Sequence, residues 1–197
     1  MISTVNWQVI QLQGVAPTPW RNGGGTTREL LAWPDSVDWQ WRASVAEVAT
    51  SGPFSNFAGV QRSLAVLDGG GVCLRISGAP HVLDSDSAPF AFDGAAPATC
   101  DLLGGPTQDF NLMVRGANPA RMWRVKNSGI SSANSGLLTI NTTPKIVAAY
   151  AHELGAKVGF GTENHDLPPF SLGWAVVNAN VAVCVQASDA LLMEIDL

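Results

Sequence analysis

Short runs of period-two alternation, each closed by glycine or proline, most constrain what this chain can fold into. In Trp39-Gln40-Trp41-Arg42-Ala43-Ser44-Val45 the odd positions are apolar and the even ones mostly polar, which is the pattern of a half-buried strand. The run from Asp109 to Arg115 repeats it. Phe110, Leu112 and Val114 share one face, and Asp109, Asn111, Met113 and Arg115 share the other. Past Val45 the parity breaks, because Ala46 and Val48 are apolar and Glu47 joins the formerly apolar face. A β-bulge there would re-aim the side chains. Otherwise Glu47 points into an apolar interior and needs a partner, since an unpaired buried carboxylate is costly.

Other segments read the same way. Ser63–Leu67 and Val72–Ile76 flank Asp68-Gly69-Gly70-Gly71 and are expected to form a hairpin. Phe90–Asp93 leads into a turn at Gly94. Strands are also expected at 137–140, 171–177, 181–185 and 190–195, while Lys145–Leu154 suits either a strand or a short helix. The Ser/Asn/Gly-rich stretch from Asn127 to Gly136 is the best linker candidate. Short strands with regular turn signals imply an all-β chain with few helices, a sandwich or a barrel such as a jelly roll. The strands on either side of the linker are numerous enough for two similar β units.

Composition agrees. Glycine (20) and proline (12) make up about one residue in six of the 197, above the usual share of about 12%. Charged residues are 14% and hydrophobic ones 46%, which argues against disorder. The formal net charge is −5 and the 11 lysines and arginines form no basic run, so a phosphate-tracking nucleic-acid surface is not expected. The N-terminus has neither a basic start nor an apolar run, and no apolar stretch approaches membrane-spanning length. A soluble, cytoplasmic protein with no membrane contact is the expectation. Cys73, Cys100 and Cys184 are scattered and odd in number, so reduced thiols are expected rather than a disulfide framework or a zinc ribbon. His81, His152 and His165 form no local metal motif.

The densest polar segment is Pro19-Trp20-Arg21-Asn22-Gly23-Gly24-Gly25-Thr26-Thr27-Arg28-Glu29. A phosphate-binding P-loop would end in Gly-Lys-Ser/Thr, and no lysine follows these glycines. A dinucleotide fingerprint needs a third glycine where Arg28 stands. A serine-hydrolase loop would come with a Gly-x-Ser-x-Gly elbow, which the chain lacks.

Four pieces together resemble one family. They are Asn22–Glu29, Trp41–Glu47, Gly52-Pro53-Phe54-Ser55-Asn56-Phe57-Ala58-Gly59 with Arg62, and Asp109–Arg115. In order and spacing they are similar to the HutD/Ves family of bicupins. The resemblance covers roughly the first 115 residues; beyond Trp123 only a compatible β pattern is visible. That family usually has proline where Ala58 stands, and its typical feature is the Thr-Arg-Glu after the glycines rather than the triple glycine. The resemblance implies a double cupin, two jelly-roll β-barrels. Residues 1–126 would form a barrel carrying the pocket, and 127–197 a second, cupin-like barrel sharing strands with the first. It also implies a regulatory sensor linked to histidine utilisation, with urocanate or a formylated glutamate as ligand. Cupins often pair through their sheets, which makes a homodimer the expected assembly.

The residues fit an anion site on their own terms. Arg28, Arg42, Arg62 and Arg115 each lie in one of these motifs, and arginine forks bind carboxylates bidentately. The expected ligand-binding set is Asn22, Thr27, Arg28, Glu29, Arg42, Ser44, Glu47, Arg62, Asp109, Asn111 and Arg115. Pairing with Glu29, Glu47 or Asp109 would instead make some of these arginines structural. Trp41 reads as core, Phe54 and Phe57 as packing for the loop after the turn, and Phe92 as either core or pocket wall. The first half has no histidine except His81, so a metal-free pocket without cofactor is expected. The other classes are a cupin isomerase or hydrolase with Glu47, Asp109 or His81 as general base, and a protein-interaction module without a ligand.

Overall fold

The computed structural model describes residues 5–116, 119–126, 136–140 and 143–197. The expected linker at 127–136 lies, apart from Gly136, outside these residues. The strands in chain order are β1 (Gln8–Gln11), β2 (Thr18–Pro19), β3 (Gly25–Trp33), β4 (Trp41–Val48), β5 (Gly52–Pro53), β6 (Val60–Gly69), β7 (Val72–Ile76), β8 (Ala79–Leu83), β9 (Phe90–Asp93) and β10 (Ala98–Leu102). They continue with β11 (Thr107–Arg115), β12 (Ala120–Lys126), β13 (Gly136–Ile140), β14 (Lys145–Ala151), β15 (Ala156–Phe160), β16 (Glu163–Leu167), β17 (Ser171–Val177), β18 (Val181–Ala187) and β19 (Asp189–Asp196). One 3₁₀ turn, Leu12–Gly14, is the sole helical element among the described residues. No described helix is long and apolar enough to cross a membrane.

The chain divides into two units, Val15–Ala117 and Met1–Gly14 with Asn118–Leu197. The division therefore differs from the expected one at 126/127. Two pairings explain why: β12 pairs with β19 and β1 pairs with β17, so both belong to the second unit. A polar linker signal marks where the backbone is unpaired, not which sheet the flanking strands join.

In the first unit, Val15–Ala117, one sheet runs β2-β3-β4-β11-β6-β9 and the other β5-β10-β7-β8, with all pairs antiparallel. Val48, Leu64 and Val66 of the first sheet pack with Val72, Leu74, Leu83 and Cys100 of the second. In the second unit the sheets run β1-β17-β14-β19-β12 and β13-β18-β15-β16. Their shared core includes Val147, Ala149, Ala175 and Leu192 from one sheet and Val158, Phe160, Val183 and Val185 from the other. Trp7 packs on that core. Its ring lies 5.2 Å from that of Phe160, and a Cβ added at Gly173 would collide with it.

Two local expectations are corrected. β6 and β7 are not a hairpin: they lie in different sheets, and β7 turns back on β8. Between them Gly69 has a φ of 99° and packs against the backbone of Pro106 and Thr107, so the glycines let the chain cross from one sheet to the other. Nor does β4 bulge past Val45, since its register to β11 is continuous from Trp41 to Val48. The register breaks fall on its neighbours instead, at Glu29/Leu31 in β3 and at Gln108/Asp109 where β11 meets β6. Glu47 is exposed, so its charge needs no buried partner. Lys145–Ala151 resolves as a strand.

Candidate functional site

Cross-strand register maps the site. On β11, Asp109, Asn111 and Met113 point to one face, as their spacing of two requires. Met113 lies opposite Arg42 on β4 and Arg62 on β6. Asn111 lies opposite Ser44 and Leu64, and Ser44 in turn opposite Glu29 on β3. Asp109 lies opposite Ala46 and Val66, and Ala46 opposite Thr27. These three rows form one wall of a cavity of about 850 Å³, within the usual range for small-molecule sites. The rest of the lining comes from the β2 turn, Thr18 to Asn22, and from the segment after β5, including Phe54, Ser55 and Phe57.

The turn is built for close approach. Gly23 has a φ of 71°, and a Cβ at Gly25 would collide with the Glu47 carbonyl. Asn22 Oδ1 accepts the Gly24 N–H at 3.0 Å, which closes the turn, and Asn22 lines the cavity. Trp20 Nε1 donates to Thr27 Oγ1 at 2.7 Å, and the Trp20 ring meets that of Phe54 edge-on. The triple glycine thus positions a rim; it is not itself a ligand cradle.

The charged groups are unequal. Arg62 is only 7% exposed. Its Nη2 donates to Asn111 Oδ1 at 2.9 Å and its Nη1 to the Ser55 carbonyl at 3.4 Å. The Phe54, Phe57 and Phe92 rings surround it with centroids 5.0 to 5.6 Å away. Its Nε has no hydrogen bond, and no carboxylate lies within ion-pair distance of it among the described residues. Burial first, and then the charge of Arg42, lower its pKa to about 10. Arg42 stacks over Trp39 and touches Met113 Sδ at 3.7 Å. Its Nε is 3.2 Å from Glu29 Oε2, an ion pair without the alignment of a hydrogen bond. Glu29 is 40% exposed on its side chain, so that pair contributes modestly.

Asp109 is fully buried, and neither of its oxygens has a hydrogen bond. Burial raises its pKa to about 7, and the nearby Thr107 hydroxyl offsets this only in part. Thr107 Oγ1 also lacks a formed hydrogen bond. Both register breaks abut the cavity's carboxyl groups, Glu29 in one strand and Asp109 in the other. Bulges are common where a sheet re-aims side chains at a site.

Of the residues expected from sequence, the cavity gathers Asn22, Thr27, Glu29, Arg42, Ser44, Arg62, Asp109 and Asn111. It does not gather Arg28, Glu47 or Arg115. Arg28 lies between Thr27 and Glu29 on the opposite strand face, where its Nη1 donates to the Val15 carbonyl at 2.6 Å. Glu47 is on the face opposite to Ala46 and Val48 and is exposed. Arg115 keeps the parity of Met113 but ends the strand, exposed, with its guanidinium 4.1 Å from the centre of the Trp39 ring. Trp41 is buried outside the cavity, as its core reading requires. Sequence reasoning missed Trp20, Phe54, Phe57 and Met113 as lining. The signal was available for Met113 in the β11 parity, and for the phenylalanines in their proximity to a charged Arg62. Among the described residues no three His, Cys, Asp or Glu side chains gather as metal ligands would.

Comparison with known proteins bears on this geometry. The HutD family model matches residues 13–192. An uncharacterized 21.2 kDa protein in the hutC 3′ region of Pseudomonas putida is 42% identical over 112 residues, which are 54% of this chain and 57% of that protein. Protein Ves of Cronobacter sakazakii is 43% identical over 97 residues, 49% of this chain and 54% of that one. The chain thus matches little more than half the length of these curated relatives. The solved structure of HutD from Pseudomonas fluorescens SBW25 (formate condition) superposes with a TM-score of 0.79 at 28% identity, covering 96% of this chain and 98% of that one.

Proposed function

The chain belongs to the HutD family, with the all-β cupin fold expected of it, and we propose that its cavity binds a small carboxylate as a regulatory sensor for histidine utilisation. The observation that carries this reading is Arg62, a buried guanidinium in the cavity wall with aromatic rings around it and, among the described residues, no carboxylate within ion-pair distance. Buried charges need a counter-charge, and a fork of N–H donors suits a carboxylate. Arg42, across Met113, adds a second positive charge to the same row. Urocanate and formylated glutamate carry the required group, and the family's association with histidine-utilisation regions makes them the first ligands to try. The polar donors of the cavity are arginine, asparagine and serine with one buried carboxyl, a set suited to an anion without a metal.

A thermal-shift screen with urocanate, formylglutamate and formiminoglutamate tests the reading. A ligand at 100 times its dissociation constant adds about 2.7 kcal/mol of stability. A clear rise in Tm with at least one of the three is the expected result. No shift with any of them at millimolar concentration would count against it.

One observation favours a second reading, in which the cavity is catalytic. Asp109 has a pKa of about 7, suited to proton transfer near neutral pH. Glu47, the other carboxylate considered as a base, is exposed and outside the cavity. Turnover of a bound carboxylate by the native protein, abolished in Asp109→Asn, would favour the enzyme.

A further inference from the structure

Asp109 offers an acceptor pair that the protein does not use. Its side chain has no exposure, lines the cavity, and has both oxygens free of hydrogen bonds. Native proteins leave few buried polar atoms unmatched, and an unmatched one points to a missing partner. The surroundings supply no charge to match it and, beyond the Thr107 hydroxyl, no donor. Across the sheet Asp109 faces Ala46 and Val66. From β10, the Cys100 thiol is neutral, pushed up to about 12 by burial and then by the charge of Asp109 itself. On its own strand only the Thr107 hydroxyl is near. The remaining charged groups of the cavity wall are Glu29, Arg42, Arg62 and, exposed on the β2 turn, Arg21. Arg42 and Arg62 sit in the row of Met113, four positions along β11. None of the protein's three lysines, all at position 126 or later, belongs to this unit.

We propose that the ligand is amphoteric, with its carboxylate at Arg42 and Arg62 and a planar N–H cation of the amidinium or guanidinium class at Asp109. The inference rests on the carboxylate reading above and adds the other end of the molecule. Two free oxygens on one carboxyl match two parallel N–H donors on a planar cation. The apolar neighbours lower the local dielectric and strengthen that pairing. Four positions on a strand span about 13 Å of backbone, and Arg62 reaches back to Asn111, two positions from Asp109, so a ligand with at most about five bonds between its charged groups meets both ends. The cation draws Asp109 into its ionised form and displaces its proton.

Titration calorimetry with three probes tests this: 4-guanidinobutyrate, its neutral isostere 4-ureidobutyrate, and pentanoate. At pH 8 the guanidino probe should bind about 10-fold or more tighter than the ureido probe, and Asp109→Asn should abolish that preference while keeping pentanoate binding. Between pH 8 and pH 6 the guanidino affinity of the native protein should fall about 10-fold as Asp109 takes up its proton, while pentanoate affinity stays level. The native protein's pH series decides the matter even if the variant fails to fold. Equal affinity for the guanidino and ureido probes, or a guanidino affinity indifferent to pH, overturns the inference and leaves the carboxylate reading standing. Failure of all three probes to bind overturns the inference, and the carboxylate reading falls with it if urocanate and the two glutamate derivatives also give no shift.

Discussion

The two units pair antiparallel strands in the same manner, yet the charge on their inner faces is handled differently. In the second unit the inner positions of β14 and β19 include Val147, Ala149, Ala151, Ala190 and Leu192, all buried, with Glu194 at the end of the row paired to Lys145 at 2.9 Å, and Trp7 covers the face at Gly173. In the first unit the central strand carries Asp109, Asn111 and Met113 inward, with Arg42, Ser44 and Arg62 beside them. One face is completed by the chain's own side chains, its charge included. On the other, the buried Arg62 has no carboxylate within ion-pair distance among the described residues. A sheet can hold either; which one it holds is decided at alternate positions of two or three strands.

The largest expected effect lies on the filled side. Leu192 is fully buried in the second unit's core, so Leu192→Ala should destabilise by about 2–5 kcal/mol, read by denaturant or thermal unfolding. A loss under 1 kcal/mol would mean that this core is not the close-packed one described. Next comes a gain on the other side. The pKa of Asp109 is raised by folding, so the folded state holds a proton that the unfolded chain has lost. Its contribution therefore makes stability fall as pH rises from about 4 to about 7, by at most about 4 kcal/mol, and then level off. Asp109→Asn should remove that fall and be more stable than the native protein at pH 8. A stability profile identical in the two proteins would break the contrast at its deepest point. Smallest are Glu47→Ala and Arg115→Ala, which should change stability by about 0.5 kcal/mol or less and leave ligand binding alone. A binding loss in either would extend the site beyond the cavity.

How far the site could be read from sequence follows the same contrast. Period-two parity placed Asp109, Asn111 and Met113 on one face and Arg42 with Ser44 on another, and the fold sets those faces side by side because β4 and β11 are register neighbours. Parity also separates Arg28 from Thr27 and Glu29, and Glu47 from Ser44, although both entered the expected set through motif membership. A motif says which residues occur together along the chain, not which side of the strand each one takes. Arg115 shows the complementary limit: its parity is right, but it stands at the strand end over Trp39, beyond the cavity. The expected hairpin at Asp68–Gly71 failed because glycines at a tight turn permit a crossing between sheets as readily as a reversal within one. The unit boundary was hidden for a related reason. Pairing of β1 with β17 joins residues far apart in sequence, which no local pattern reports.

The central claim is that Arg62, without a carboxylate partner among the described residues, is the counter-charge for a ligand carboxylate. Calorimetric titration of urocanate into the native protein and into Arg62→Met, at the same pH, tests it most directly, because methionine keeps the apolar contacts of the methylene stem while removing the charge and the donors. Hydrogen bonds to charged groups contribute about 1.5–3 kcal/mol, so saturable one-to-one binding should weaken about 10-fold to 100-fold in the variant. Equal affinity in the two proteins would contradict the claim.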